Sequence, residues 1–320
     1  MANKIFPFGI VGVTYRCNAR CYMCNIWQNP TQKEDELKPE HLNSIPYMKS
    51  TNMTGGEPFI REDIEQLIEK VYPKTERLVI STNGYFTDRI LKIAKRFPKI
   101  GIRVSLEGLP EANDELRGIK DGFDHGMRTI LSLQSMGFKD IGFGITVSDR
   151  NVDDLHELYE LAKSMKVEFA SAAIHNAFYF HKFDNKFVKP DYVAKRFEEL
   201  SKKLLKTNRP KNWFRAYFNY NLANYVKGNP RPLPCTAGED FFFIDPRGEI
   251  FVCNALNESM GNIKEHDFWT LWNSKRGQDV REMARKCDKQ CWMIGSASPA
   301  IKRNKMTVGK WILKNKLSGQ

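Results

Sequence analysis

Between residues 8 and 174 the chain alternates six times between short apolar runs and amphipathic stretches. The runs are FGIVGVT (8–14), TNMTGG (51–56), RLVISTNG (77–84), GIRVSLEG (101–108), IGFGITVS (141–148) and VEFASAAI (167–174). Between them, REDIEQLIEKV puts Ile64, Leu67, Ile68 and Val71 on one helical face, and DDLHELYELAKSM does the same with Leu155, Leu158, Leu161 and Ala162. Parallel strands cannot be joined by a tight turn, so strand–helix repeats imply an α/β fold with a parallel sheet and helical crossovers. Periodicity does not separate an open sheet from a barrel. In both, chemistry belongs to the loops at the C-terminal ends of the strands.

Of the 320 residues, 41% are hydrophobic and 28% charged, which excludes global disorder. No apolar run approaches the roughly 20 residues of a membrane span. The segment IFPFGIVGV is broken by Pro7 and two glycines and lacks a small-residue cleavage site, so it reads as a buried strand. A reducing, cytoplasmic setting is expected, where clustered cysteines bind metals or do redox chemistry. The formal charge of +12 suits an anionic partner such as a nucleotide, phosphate ester, nucleic acid or acidic lipid. No recognisable nucleic-acid-binding module is present.

Cys17, Cys21 and Cys24 follow the first strand. Disulfides use cysteines in pairs, and structural zinc wants four ligands, with His41 the nearest histidine. Three thiolates leave a coordination position open. Thiolates are also the usual ligands of iron–sulfur clusters. TGGEP (54–58) ends the second strand, where glycines allow close backbone approach and Glu57 can hold an ammonium. STNG (81–84) ends the third. SLEG (105–108) ends the fourth, with Ser105 and Glu107 suited to ribose hydroxyls. The other four cysteines are Cys235, Cys253, Cys287 and Cys291, around a hairpin signal, FFFIDPRGEIFVC, with Asp245-Pro246-Arg247-Gly248 as the turn. Zinc on these four is the alternative, although structural zinc prefers two tight pairs and only one is close.

C-x3-C-x2-C after the first strand, followed by GGE, resembles the radical S-adenosylmethionine (radical SAM) superfamily over nearly the whole chain. The resemblance implies a partial (β/α)6, TIM-like barrel followed by a small α+β auxiliary cluster domain. The expected division is 1–232, with a helical extension of about 190–206 and 212–227, then 233–298, then a basic tail, 299–320. It also implies a 4Fe–4S cluster on Cys17, Cys21 and Cys24 whose open iron chelates S-adenosylmethionine. Gly55, Gly56 and Glu57 then match the methionine-ammonium motif, and Ser105 and Glu107 the ribose strand. Met23 takes the adenine-side position, where an aromatic is commoner in the family. Residues 260–277 resemble the helical segment of SPASM or twitch extensions. Four cysteines there match one auxiliary 4Fe–4S cluster, the twitch form.

The function so implied is reductive cleavage of S-adenosylmethionine to a 5′-deoxyadenosyl radical and hydrogen abstraction from a small, anionic metabolite, giving oxidation, elimination or rearrangement. The electron donor expected is a flavodoxin or ferredoxin. With every cysteine committed, thiol-dependent epimerisation is disfavoured. A peptide maturase is the first alternative, against which stands a first strand beginning by residue 8, without space for a leader-binding domain. A non-enzymatic electron-transfer or carrier protein is the second. His175 and Asn176 end the sixth strand at the catalytic edge, and His175 reads as an adenine-side or substrate contact or as an ordinary strand-end histidine. Arg117 reads as an anion ligand or a loop cap, and Tyr179 and His181 as site lining or core. No residue reads as a catalytic acid or base. In the tail, Val308, Trp311, Ile312 and Leu317 are expected to share a helical face, with Lys310, Lys314 and Lys316 around it. Two fates are weighed for it: a packed terminal helix, or a weak peripheral contact with acidic membrane.

Overall fold

The computed structural model describes residues 4–317. Its first half is β1 (Phe8–Gly12), β2 (Thr51–Thr54), α1 (Ile64–Val71), β3 (Leu78–Thr82), α2 (Thr87–Arg96), β4 (Gly101–Ser105), α3 (Pro110–Arg117), α4 (Gly122–Ser135), β5 (Ile141–Val147), α5 (Asp154–Ser164) and β6 (Glu168–Ala173). The six strands are neighbours in chain order and all parallel. Ile64, Leu67, Ile68 and Val71 of α1 are buried, as are Leu155, Leu158 and Ala162 of α5, so the apolar faces read from periodicity are the ones that cover the sheet. The rest is α6 (Pro190–Leu205), α7 (Pro210–Val226), β7 (Phe241–Ile244), β8 (Glu249–Phe251), β9 (Ser259–Asn262), α8 (Phe268–Asn273), α9 (Lys275–Arg285), α10 (Ile294–Arg303) and α11 (Lys305–Leu317).

The hairpin extends the sheet of the first half. β7 pairs in parallel with β1, Phe8 opposite Phe241, and β8 and β9 follow antiparallel, in the order β6-β5-β4-β3-β2-β1-β7-β8-β9. The β7–β8 turn, Asp245 to Gly248, therefore lies beside the loop that leaves β1. Gly248 has φ +94° there, which favours glycine. A sheet of parallel strands with helical crossovers agrees with the partial barrel expected.

Two readings need correction. The start of the stretch read as helical, 260–277, is strand β9; helix begins only at Phe268. In α11, Val308 and Ile312 are buried and Trp311 packs on Tyr217 and Tyr220, but Leu317 is exposed on the other side of the helix. The four do not share a face. The last three residues of the basic tail lie outside the described residues. Among the described residues, no helix is long and apolar enough to cross a membrane.

Candidate active site and auxiliary cysteine cavity

The loop leaving β1 is held by backbone bonds to three other segments. Gly56 N–H donates to the Thr14 carbonyl (2.7 Å) and Glu57 N–H to that of Arg16 (2.9 Å). Arg20 and Tyr22 N–H groups donate to Arg117 and Leu116 at the end of α3, both at 2.8 Å, and Asn25 N–H donates to Phe180 (2.8 Å). Buried Glu36 accepts from Thr14, Thr31 (2.6 Å) and Arg16 (2.7 Å), bracing the loop entrance. The glycines of TGGEP are needed for this contact. A Cβ on Gly56 would lie 2.3 Å from the Arg16 oxygen and 3.0 Å from the Cys17 Cβ, and one on Gly55 2.6 Å from the Thr14 oxygen. Burial pushes the Cys17 and Cys24 thiols up to about 12, and raises Cys21 as well.

Glu57 does not point into open space. Its fully buried carboxylate accepts from Phe59 N–H (3.0 Å), the Thr82 hydroxyl (2.8 Å) and Asn83 N–H (2.6 Å), tying the end of β2 to the end of β3. Glu107, at the end of β4, accepts from Arg117 (3.0 Å) and Thr146 N–H (2.6 Å). Arg117 is thus a buried partner of Glu107, and its charge also faces Cys21 and Cys17. Ser105 is half-buried at the strand end, in register with Gly144. Met23 is buried, and its carbonyl accepts from Asn185 (3.1 Å). The structure thus gathers Met23, Gly55, Gly56, Glu57, Ser105 and Glu107 at the C-terminal strand ends around the cysteine loop.

The segment after β6 covers this edge. Tyr179 donates to the Gly55 carbonyl (3.0 Å) and packs against Tyr15, Phe180 and Phe243. Ile10, Tyr15, Ile26, Tyr179, Phe243 and Phe251 form a separate apolar cluster that reaches Cys24. Among the described residues, His175 Nε2, His181 Nε2 and Asn185 Oδ1 of this segment, and Trp27 Nε1 and Arg117 Nε beside the cysteine loop, are buried without a hydrogen-bond partner. Buried polar atoms are rarely left unpaired, so this concentration marks a place for a polar ligand. Asn176 instead bonds with Asn185 in the loop (2.9 and 3.0 Å).

Sequence reasoning missed Tyr15, Asn185 and Arg247. Tyr15 donates to Asp245 (3.3 Å), has the Arg247 guanidinium over its ring at 5.3 Å, and meets the His181 ring edge-on at 5.3 Å. The only signal for Tyr15 was its place two residues before Cys17. Nothing local marks a turn arginine from the distant hairpin.

Cys235, Cys253, Cys287 and Cys291 all line one pocket that is partly open to solvent, with Arg231 and Lys289 on its wall. Arg231 bonds to the Cys291 carbonyl and to Ser296 (3.0 Å), and lies over Trp292 at 5.1 Å. Lys289 donates to the Ala255 carbonyl (2.8 Å). Burial pushes the Cys253 thiol up to about 12. Among the described residues, no three His, Cys, Asp or Glu side chains converge tightly enough for a single metal ion. Four thiols around one pocket are a donor set that fits an iron–sulfur cluster, and the two cations suit thiolate charge.

Two family models match the chain: that of the radical SAM superfamily over residues 11–162, and that of an iron–sulfur cluster-binding domain, SPASM, over 235–293. The Fe-coproporphyrin III synthase of Methanosarcina barkeri is 32% identical over 170 residues, 50% of this chain and 42% of that protein. The AdoMet-dependent heme synthase of the same organism is 25% identical over 305 residues, 86% of this chain and 85% of that protein. Several other curated relatives are matched over only about half their length. Streptococcus suis SuiB shares the fold at TM-score 0.67 and 17% identity, over 91% of this chain and 72% of that one. With three cysteines on the first strand's loop and four around one pocket, the chain carries a radical SAM superfamily domain over residues 11–162 and a SPASM domain over 235–293, with S-adenosylmethionine and iron–sulfur clusters as cofactors.

Proposed function

We propose that this chain is a radical SAM enzyme that abstracts hydrogen from a small, anionic metabolite held at the C-terminal edge of the barrel. The observation that carries the reading is the division of all seven cysteines into two places, three on one loop and four around one cavity. Cys17, Cys21 and Cys24 would hold one 4Fe–4S cluster with an iron left open, and the other four a fully ligated auxiliary cluster. When bound, the open cluster and S-adenosylmethionine supply the radical chemistry. The chain's own residues orient it. Glu57, its carboxylate taken up by Phe59 and by Thr82 and Asn83 at the end of β3, would hold the Gly55 and Gly56 backbone in place for the methionine end. Ser105, with the Glu107–Arg117 pair, would hold the ribose, and Met23 would lie on the adenine side. Arg247 and His181 flank Tyr15 and have no ion-pair partner among the described residues, which favours a carboxylate or phosphate on the substrate. No cysteine is left to return a hydrogen atom, so the outcome is oxidation, elimination or rearrangement.

Exposed Tyr22 follows Cys21 directly, with Arg150, paired with Glu115, at 4.7 Å and Lys182, paired with Asp184 (3.0 Å), at 5.7 Å from its ring. We assign this face to an acidic electron donor of the flavodoxin or ferredoxin kind. Reduction through it should slow at high salt and in Arg150→Gln; salt-independent reduction would remove the assignment.

The test is anaerobic reconstitution. About eight irons per chain and cleavage of S-adenosylmethionine by the reduced protein are expected. About four irons with zinc in the second site, or no cofactor binding by cluster-replete protein, would overturn the reading. Candidate carboxylates and phosphates, each with its neutral ester, then test the substrate class. A second reading, peptide maturation, draws on the mycofactocin maturase MftC of Mycolicibacterium smegmatis, 29% identical over 157 residues. Turnover of a peptide and of no free metabolite would favour it.

A further inference from the structure

Helix α11 is apolar on two opposite sides. One side is covered: Val308 and Ile312 are buried, Trp311 packs on Tyr217 and Tyr220 of α7, and Lys316 lies over Trp213 (4.1 Å) while donating to the Leu205 carbonyl (3.0 Å). On the other side Met306, Leu313 and Leu317 are 83%, 62% and 84% exposed. At 3.6 residues per turn these three and Lys310 fall within about 60° of one another, and Lys314 borders them. A Cβ built on Gly309 meets nothing within 4 Å, so this flank of the helix is open.

Charge points the same way. From Ile294 to Leu317 there is no acidic residue. Lys305, Lys310 and Lys314 have no ion-pair or hydrogen-bond partner among the described residues. Tyr220, half-exposed beside Trp311, adds an amphipathic ring at the edge. A second copy of this chain would bring lysines against lysines. Exposed Leu and Met among unpaired lysines match an acidic lipid surface, which takes the apolar side chains among its acyl chains and the ammonium groups at its phosphates.

We propose that the outer face of α11 (Met306, Lys310, Leu313, Lys314, Leu317) is a reversible docking surface for anionic membranes. Only three apolar side chains enter, so binding is weak, and its strength comes from lysines added to a small apolar anchor. Each lysine near an acidic leaflet contributes roughly fivefold to partitioning at low salt.

The experiment is flotation of the full-length, cluster-replete protein with phosphatidylcholine vesicles, with and without phosphatidylserine, at low and high salt. Wild type is expected to float only with the acidic vesicles, and less at high salt. Lys310→Gln/Lys314→Gln should reduce partitioning by about 20-fold. Met306→Ser/Leu313→Ser/Leu317→Ser should abolish it. Lys92→Gln/Lys95→Gln, with the same charge loss on exposed positions of α2, should bind as wild type. All these side chains are exposed, so iron content and melting temperature serve as the folding check. Equal flotation of all variants, an equal loss in the α2 control, or binding to neutral vesicles alone would overturn the proposal. So would lipid-free dimerisation that the serine variant abolishes.

Discussion

Cys17, Cys21 and Cys24 sit on one short loop, whereas Cys235, Cys253, Cys287 and Cys291 come from the approach to β7, the end of β8, the end of α9 and the connection to α10. The first loop has its shape without metal. Its backbone donors and acceptors reach β2, α3 and the turn at Phe180, and Glu36 braces its entrance. The second group is brought together by tertiary closure, and Cys235 and Cys287 are exposed. Bringing distant segments together costs loop-closure entropy, and a metal group that bridges them offsets it. The first site should therefore be a preformed seat, and the second a cross-link that the fold itself needs.

The largest expected effect separates the two at once. Replacing Cys17, Cys21 and Cys24 with Ala should abolish S-adenosylmethionine cleavage and halve the iron, with little change in melting temperature. Replacing the four auxiliary cysteines should also halve the iron but keep cofactor binding, and should lower stability by several kcal/mol. Equal melting temperatures for the two variants would break the comparison.

Gly56→Ala comes next. Its Cβ would press on the Arg16 backbone, which cannot yield as a flexible side chain does, at a cost of about 3 kcal/mol. Iron should leave the first site selectively, which Mössbauer spectroscopy resolves. Full occupancy of both sites in this variant would show that the loop is not preformed.

At the second site, Arg231→Gln removes the bonds to Cys291 and Ser296, at about 2 kcal/mol. The auxiliary cluster should then bleach faster in air than the first. Unchanged bleaching would mean that Arg231 does not support that wall.

The smallest effect is a pH dependence of the first site. Burial pushes the Glu36 carboxyl up, but its bonds from Arg16, Thr14 and Thr31 and the Arg61 charge outweigh this, and its pKa lies below the ordinary value. The stability it confers is present above the ordinary carboxylate pKa and lost as pH falls through and below it. Melting temperature should fall on acidification from neutral pH more steeply in wild type than in Glu36→Gln. Parallel curves would remove Glu36 from the brace.

Much of the candidate site was legible because its residues lie at the ends of strands β1, β2 and β4. Cys17, Gly56, Ser105 and Glu107 follow runs whose alternation with helices already implied a parallel sheet, so all fall on one edge. The Glu57 carboxylate is different. It looked free for a ligand, and only the approach of Thr82 and Asn83 occupies it. Strand β9 was hidden because four residues containing Gly261 carry no usable period; it exists by pairing with β8.

Local sequence determined the strand–helix rhythm, the three-cysteine loop and the need for glycine at its contact, since these depend on side-chain period and on backbone within a few residues. Tertiary structure decided the rest: that β7 joins β1, that Arg247 reaches Tyr15, and that four scattered cysteines ring one cavity. In α11 the apolar residues lie on both sides, so their periodic signals cancel. Only packing against α7 decides which side is core and which is left facing out.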